Sequence, residues 1–220
     1  MDKELVIYGN GQMASMLYSY LIKDFNIVAF TTDSVAINSS NFLGLPVVPF
    51  DELRNKYDPK KFAIIIAVGF SDMNSLRVSR YEMVKAMGYS VMSYTHPTVE
   101  LTNCQIGENV IILENTSIHP GSTIEDCTFI SSNTNIGHDC IVRKGAWING
   151  CVGVGGSTII GKNCFIGIGA VIVNNIQLSE MTYIGANSLV SKNTGPGDVL
   201  ISKSADLIPM KSVNFLKLIS

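Results

Sequence analysis

Three histidines are the candidates for acid–base chemistry near neutral pH: His96, His119 and His138. His138 is followed directly by Asp139. A carboxylate bound to one imidazole nitrogen fixes the tautomer and leaves the other nitrogen free to accept a proton. The residues alone also allow His138 to be a turn histidine bonded to the backbone. His96 precedes a proline, which is typical of a connecting segment.

A second set of candidates lies at the ends of predicted strands in the first 95 residues. Gly9-Asn-Gly-Gln-Met-Ala14 follows an apolar strand and opens a predicted helix, so its backbone can approach a diphosphate, although a tight turn without a ligand has the same pattern. Asp33 ends the second strand, where it either meets a ribose or base or is a solvated turn residue. The candidates for substrate binding are Gly9, Asn10, Gly11, Gln12, Asp33, Gly69 and Phe70.

A six-residue period positions the histidine pair. From Ile106 to Val190 every sixth residue is a branched aliphatic, and the residue four positions after each is small at nearly every step. A hexad of this kind forms one short strand and a bend, and three hexads close a triangular coil. The fifteen hexads therefore predict about five stacked coils around an aliphatic core. Stacking also places Pro120 and Gly156 on either side of His138, with space beside its ring.

Composition excludes several classes of function. The chain has 220 residues and a formal net charge of −2, so it lacks the basic field of a nucleic-acid-binding protein. Five cysteines, an odd number without a C-x-x-C pair, favour reduced thiols in structural roles. The sequence starts without a basic-then-apolar signal segment, and its longest apolar run is too short for membrane insertion. We expect a cytoplasmic protein.

The chain resembles a known family over nearly its whole length, the hexapeptide-repeat bacterial sugar O/N-acyltransferases. That family includes the sialic acid O-acetyltransferases and the nucleotide-amino-sugar N-acetyltransferases. Besides the repeat and the Gly-x-Gly loop, the resemblance rests on Leu43-Gly-Leu-Pro-Val-Val48, Gly69 with Asn74 and Arg77, Ile136-Gly-His-Asp-Cys140, and Ile166-Gly-Ile-Gly-Ala170.

The resemblance implies a fold class and a division of the chain. An α/β Rossmann-like domain over residues 1–95 binds the nucleotide sugar. An all-β left-handed parallel β-helix over 96–201 carries the acyltransferase site, and 202–220 form a C-terminal cap or tail. The left hand comes from the resemblance, because parallel β-connections otherwise turn right-handed.

The resemblance also implies roles for individual residues. His138 corresponds to the catalytic general base and Asp139 to its orienting acid, while His119 on the adjacent coil is a candidate for the same cleft. Acetyl-CoA is the implied co-substrate, and it would lie in the groove between neighbouring helices of a homotrimer with active sites between subunits. The implied CoA-contacting residues are Trp147, Gly155, Gly156, Gly169 and Ala170.

Two positions depart from the family pattern. Trp147 stands nine residues after His138, where relatives commonly have a histidine that touches the acyl donor, and Ser131 stands where an asparagine is common. These changes put the acyl group and the oxyanion donor in doubt more than the reaction type. The related γ-class carbonic anhydrases bind zinc through an H-x-x-x-x-H pair, and no two histidines here have that spacing, so no metal is expected.

The leading hypothesis is an acyl-CoA-dependent N-acyltransferase, most simply an N-acetyltransferase. It would acylate the amino group of a UDP- or dTDP-linked amino deoxysugar for bacterial surface glycan biosynthesis, such as that of lipopolysaccharide O-antigen. A sugar O-acetyltransferase of sialic acid type is the first alternative, since the same base serves a hydroxyl. A non-catalytic protein that binds a nucleotide sugar or scaffolds an assembly is an alternative of another class.

Overall fold

A computed structural model describes residues 4–219. Its first part is a six-stranded sheet with β1 at Glu4–Tyr8, β2 at Ile27–Thr32, β3 at Asn41–Phe42, β4 at Leu45–Pro49, β5 at Phe62–Ile66 and β6 at Ser90–Val91. The strand order is β3-β4-β2-β1-β5-β6, and every pair is parallel except the β3–β4 hairpin. Strands β1 and β5 are apolar runs buried at the centre, as expected where helices cover both faces.

Helices α1 at Gln12–Leu21 and α3 at Ser75–Ala86 pack against this sheet, and a short α2 spans Leu53–Lys56. Helix α1 buries Ala14, Leu17 and Leu21, which share one face at helical spacing. Single 3₁₀ turns occur at Ser34–Ala36 and Phe50–Glu52. The sequence predicts a helix over about residues 73–87, and α3 is shorter because Met73 and Asn74 have positive φ angles that precede the helix.

The second part is a triangular prism of parallel two-residue strands. They are β7 Tyr94–Thr95, β8 Glu100–Leu101, β9 Gln105–Ile106, β10 Ile111–Ile112, β11 Ser117–Ile118, β12 Thr123–Ile124, β13 Phe129–Ile130, β14 Asn135–Ile136, β15 Ile141–Val142, β16 Trp147–Ile148, β17 Gly153–Val154, β18 Ile159–Ile160, β19 Phe165–Ile166, β20 Val171–Ile172, β21 Gln177–Leu178, β22 Tyr183–Ile184, β23 Leu189–Val190 and β24 Val199–Leu200.

Three faces form the prism, and strands eighteen residues apart pair on each face. The first face has seven strands (β7, β10, β13, β16, β19, β22, β24), the second six (β8, β11, β14, β17, β20, β23) and the third five (β9, β12, β15, β18, β21). These strands complete six coils. The prism extends beyond the fifteen hexads of the sequence pattern, because β7, β8 and β24 pair with hexad strands without sharing the strict period.

Besides the aliphatic and the small residue, each hexad has one residue at a corner of the prism. The backbone conformation of the corner explains which residue types occur there. Every sixth residue from 103 to 187 has a positive φ angle, a left-handed conformation that glycine and asparagine adopt most easily. Ten of the fifteen are asparagine or glycine: Asn103, Asn109, Asn115, Gly121, Cys127, Asn133, Asp139, Gly145, Cys151, Ser157, Asn163, Gly169, Asn175, Met181 and Asn187. This third series sets the bends, and Asp139 is one of its members.

The aliphatic and small series both point into the prism. The aliphatic residues form one continuous buried cluster. Most of the small residues are buried beside them. Several of their hydroxyl and thiol groups donate to carbonyl oxygens fifteen residues further on, as Thr116 does to Ser131, Ser122 to Gly137 and Cys140 to Gly155. These bonds satisfy polar groups that burial would otherwise penalise. Burial raises the pKa of the Cys164 thiol to about 11, as expected for a structural cysteine.

Aromatic side chains cover the first face of the prism and join it to the α/β domain. Phe129 stacks on Trp147 with ring centroids 4.0 Å apart, and Phe165 stacks on Tyr183 at 4.8 Å. Phe70, from the loop after β5, contacts Trp147 and Phe165. Phe129, Trp147 and Phe165 belong to the same buried cluster as the core of the α/β domain, and Tyr183 packs against it. The two domains therefore share a hydrophobic interface.

Arg77 is the main polar link between the domains. Its side chain is 1% exposed, and its guanidinium donates to the carbonyl oxygens of Cys127 and Gly145 at 3.1 and 2.9 Å. Asn74 donates to the carbonyl of Asn163 at 3.1 Å. Residues 127, 145 and 163 are equivalent corners of three successive coils. Helix α3 and the residue before it thus bind a column of corner carbonyl groups through hydrogen bonds. Burial lowers the pKa of Arg77 to about 10, which still leaves it charged at neutral pH.

The chain ends in helix α4 at Ser212–Ile219, whose side chains are exposed. The sequence predicts that this apolar tail is a cap or a trimer contact, and this stays a prediction. Among residues 4–219 no helix is long and apolar enough to cross a membrane.

Replacing Arg77 with methionine should lower the free energy of unfolding by about 3 kcal/mol, because corner carbonyls lose their donors while they remain buried. Chemical denaturation of the two proteins measures the difference. Arg143→Met is the matched control. Arg143 forms an ion pair with Glu125 at 2.6 Å, but its side chain is 43% exposed, so we expect a loss below about 1 kcal/mol. Equal stability of the Arg77 variant and the wild type would contradict the assigned role.

Candidate functional site

His138 and Asp139 form a pair at one corner of the prism. His138 follows β14 on the second face, and Asp139 has φ of 56°, the left-handed angle of the corner series. His138 Nδ1 lies 2.8 Å from Asp139 Oδ2, and the two side chains are 64% and 65% exposed. This contact sets Nδ1 as the donor and leaves Nε2 as the proton acceptor. The corner therefore presents a solvent-accessible base on a rigid coil.

Glycines on the neighbouring coils make room for both side chains. A Cβ atom on Gly156, eighteen residues after His138, would lie 2.5 Å from His138 Nε2. A Cβ atom on Gly121, eighteen residues before Asp139, would collide with Asp139 Oδ1. The imidazole and the carboxylate thus occupy space that an alanine on either neighbouring coil would fill. Gly156 therefore lies beside the His138 ring, as the sequence predicts from stacking at eighteen residues.

A cavity of about 690 Å³ lies between the α/β domain and the first face of the prism. All seven residues predicted to bind substrate in the α/β domain line it, and Trp147 lines its floor together with Phe129, Ser131 and Asn149. Trp147 is only 6% exposed, and its Nε1 donates to Asn149 Oδ1 at 3.2 Å. The lining residues from the sequence prediction are Gly9, Asn10, Gly11, Gln12, Asp33, Gly69, Phe70 and Trp147.

The two glycines of the loop that precedes α1 have different roles. Gly9 has φ of 127°, and a Cβ there would lie 2.6 Å from the Ala67 carbonyl oxygen, so this position packs against the end of β5. Gly11 has open space around it and is the N-cap of α1. The first turn of α1 contains no acidic residue and has no side-chain cap, so its N–H groups are available to an anion. Asn10 holds the loop by donating to the Ala36 carbonyl at 2.9 Å.

Asp33 lies in a polar network at the side of the cavity. Tyr8 Oη donates to Asp33 Oδ1 at 2.8 Å, and Arg80 Nη2 binds Asp33 Oδ2 at 2.5 Å. Arg80 Nε also donates to Tyr8 Oη at 2.8 Å. Burial alone would raise the pKa of Asp33, but the bonds from Arg80 and Tyr8 outweigh it and lower the pKa. Burial and Asp33 together raise the pKa of Tyr8 to about 12.

The remaining predicted site residues belong to the prism and do not line this cavity. His119 Nε2 lies 3.3 Å from Asn135 Nδ2 on the next coil. Gly169 takes the corner conformation with φ of 69°, and the Ala170 side chain is fully buried in the prism core. Within one chain, seven of the predicted site residues therefore lie outside the cavity: His119, His138, Asp139, Gly155, Gly156, Gly169 and Ala170. Their ligand contacts stay predictions.

The sequence does not indicate that Arg80 and Tyr8 belong to the candidate site. Tyr8 is the last residue of β1, immediately before the glycine loop, so its position at the carboxyl end of a central strand is the signal that was available. Arg80 comes from α3, 47 residues after Asp33, and no local pattern pairs the two. Among the described residues no group of three histidine, cysteine or acidic side chains is placed to hold a metal ion.

Comparison with known proteins identifies the repeat. Residues 103–138 match the family described as bacterial transferase hexapeptide (six repeats). The prism is a hexapeptide-repeat β-helix. No curated protein gives a significant sequence match.

Solved structures share the fold of most of the chain. A mutant of perosamine N-acetyltransferase from Caulobacter crescentus, in complex with CoA and GDP-perosamine, superposes with a TM-score of 0.82 at 21% identity, over 92% of this chain and 95% of that one. The acetyltransferase domain of PglB from Neisseria gonorrhoeae, in complex with acetyl coenzyme A, gives 0.81 at 20% identity, over 92% and 97%. The predicted fold class, an α/β domain followed by a left-handed β-helix, is confirmed.

Gly156→Ala should displace the His138 ring without unfolding the prism, because the nearest atoms to the added methyl belong to an exposed side chain that can swing away. Gly153→Ala is the matched control on the same coil, since a Cβ there meets nothing within 4 Å. Imidazole NMR signals of the three histidines report the ring position. We expect the His138 signals to move in the first variant alone; unchanged signals in Gly156→Ala would contradict the packing described.

Proposed function

We propose that the protein is an acyl-CoA-dependent N-acyltransferase, in the simplest case an N-acetyltransferase, that acylates the amino group of a nucleotide-linked amino sugar. The observation that carries the proposal is the exposed His138–Asp139 pair, with its 2.8 Å contact, on a hexapeptide-repeat coil. Support comes from two proteins of the same fold, solved with CoA and GDP-perosamine and with acetyl coenzyme A. A role in the biosynthesis of bacterial surface glycans follows from that class of substrate.

The proposed reaction transfers the acyl group directly from sulfur to nitrogen. The amino nitrogen of the sugar attacks the thioester carbonyl, and His138 Nε2 removes the proton that the nitrogen loses. The C–S bond breaks, CoA leaves as the thiolate, and the imidazolium returns the proton to it. Asp139 holds the tautomer and stabilises the imidazolium while it is charged. No covalent enzyme intermediate and no metal ion are needed for this sequence of steps.

The cavity is the proposed site for the nucleotide sugar. The diphosphate would lie at the free N–H groups of α1 beside Gly11, where the helix dipole favours negative charge. The nucleoside would extend toward Asp33, and the sugar toward the Phe70 and Trp147 rings. Trp147 thus contributes to the sugar end of the cavity, next to the position where the acyl donor must arrive.

CoA is proposed to bind on the outer surface of the prism near the base. Ile168 and Val171 are exposed apolar residues on either side of Gly169 and Ala170, and they offer a surface for the pantetheine chain. Gly155 and Gly156 leave the corner beside His138 without side chains. His119, on the preceding coil, would line the same cleft.

A homotrimer would join the two halves of the site. In one chain the cavity lies on the first face of the prism, whereas His138 follows a strand of the second face. Transfer requires the sugar amine and the imidazole to be in hydrogen-bond reach. We propose that the cavity of one subunit meets His138 of its neighbour, and that closed cyclic symmetry repeats this contact.

His138→Ala should lower kcat about 10²- to 10⁴-fold, the contribution typical of a general base. Release of free thiol from acetyl-CoA, with a panel of UDP-, dTDP- and GDP-linked amino sugars, measures turnover. Asp139→Asn should lower kcat by a smaller factor, because Nε2 is still present but the wrong tautomer is populated. His96→Ala is the matched control and should retain full activity, since His96 bonds Thr98 in the linker.

Three outcomes would decide against the proposal. Full turnover in His138→Ala would exclude His138 as the general base. A hydroxyl sugar that outcompetes its amino counterpart would instead assign O-acetyl transfer of the sialic acid type, because a site built around one donor group rejects the other by orders of magnitude. Nucleotide-sugar binding without thiol release from any acyl-CoA would assign a binding or scaffolding protein.

A further inference from the structure

The network of Tyr8, Asp33 and Arg80 is a closed ring of hydrogen bonds at the edge of the cavity. Tyr8 and Asp33 line the cavity, but Arg80 does not. The Tyr8 hydroxyl accepts from Arg80 and donates to Asp33, so each member orients the next. Arg80 therefore acts on a ligand only through the two residues that it holds. Its guanidinium is mostly buried, which favours a fixed geometry over a loose surface pair.

Asp33 retains hydrogen-bonding capacity that this ring does not use. A carboxylate offers about four lone-pair positions. Among the described residues Tyr8 occupies one position on Oδ1 and Arg80 one on Oδ2. The Asp33 side chain does not cap the 3₁₀ turn that follows it. Because its pKa is lowered, Asp33 is ionised at neutral pH and accepts hydrogen bonds without donating any. A matching ligand group must be a donor.

The position of Asp33 indicates which donor it meets. Asp33 follows β2 and Gly11 follows β1, and these neighbouring parallel strands end at the same edge of the sheet. With the diphosphate at the α1 N-terminus, the next group along a nucleotide in that direction is the ribose. Ribose presents two vicinal hydroxyl donors, which match the two oxygens of a carboxylate. A 2′-deoxyribose presents only one.

We propose that Arg80 is a positioning residue that aligns Asp33 to accept the ribose hydroxyls, so that the cavity selects a ribonucleoside diphosphate over its 2′-deoxy counterpart. This inference rests on the proposed function for the presence of a nucleotide in the cavity. It narrows the sequence-based choice between UDP- and dTDP-linked sugars, since dTDP lacks the 2′-hydroxyl.

Calorimetric titration with two matched pairs, UDP against dUDP and GDP against dGDP, tests the selection without requiring any acyl transfer. Wild-type protein should bind the ribonucleotide of at least one pair about tenfold or more tightly than the deoxyribonucleotide, as expected for a hydrogen bond to a charged group. Asp33→Asn and Arg80→Met should reduce the ratio below about threefold. Arg80→Lys should give an intermediate ratio, because a lysine keeps the charge but cannot bond both partners in a fixed fork.

Controls separate positioning from a general structural effect. Arg143→Met removes an arginine ion pair on the prism and should leave the ratio unchanged. If Arg80 had a merely structural role, Arg80→Met would lower the affinity for both nucleotides of a pair equally. The ratio of the two affinities would then stay the same. That result would overturn the inference, and so would wild-type protein that binds both members of each pair equally or binds neither. If the ratio behaves as expected while thiol release fails, the acyltransferase proposal falls and the ribose site stands.

Discussion

Stacking at a period of eighteen residues is the constraint on which the rest of the structure depends. Each corner side chain shares its space with the residues one coil above and one coil below, so a large side chain is tolerated only beside small ones. His138 lies against Gly156, and Asp139 against Gly121. The left-handed corner conformation adds a second condition, which aspartate meets better than most residues. The same rule that builds the scaffold thus decides where a histidine–aspartate pair fits.

The α/β domain is attached to this scaffold through a different column of corners, at residues 127, 145 and 163. Arg77 and Asn74 bind carbonyl oxygens along one column of corners, while the aromatic ladder on the first face fills the space between the domains. A cavity remains where this interface opens, with the N-terminus of α1 on one side and Trp147 on the other. The rigid prism therefore fixes the distance between the glycine loop and the corner that carries His138 and Asp139.

The sequence predicts the regular parts of this molecule and misses contacts between distant residues. The six-residue period predicts the prism, and the apolar runs predict β1, β2 and β5, because each of these signals is local and repeated. The glycine loop, Asp33 and Phe70 were found from strand ends alone. The sequence does not indicate Arg80, because its partner Asp33 is 47 residues away in the chain and no local pattern pairs the two. The corner series was present in the sequence as recurrent asparagine and glycine, but its meaning depends on φ angles that only the structure gives.

We propose that His138 of one subunit and the cavity of its neighbour act together, since the two lie on different faces of one chain. Mixed oligomers test it most directly. His138→Ala removes the base, and Gly11→Trp blocks the cavity, where open space surrounds the backbone. Each variant alone should be inactive. An equal co-assembled mixture should recover about a quarter of wild-type turnover, since one intact cavity meets one intact base at that frequency in a cyclic oligomer. A mixture that stays inactive, while its subunits demonstrably co-assemble, would contradict the account.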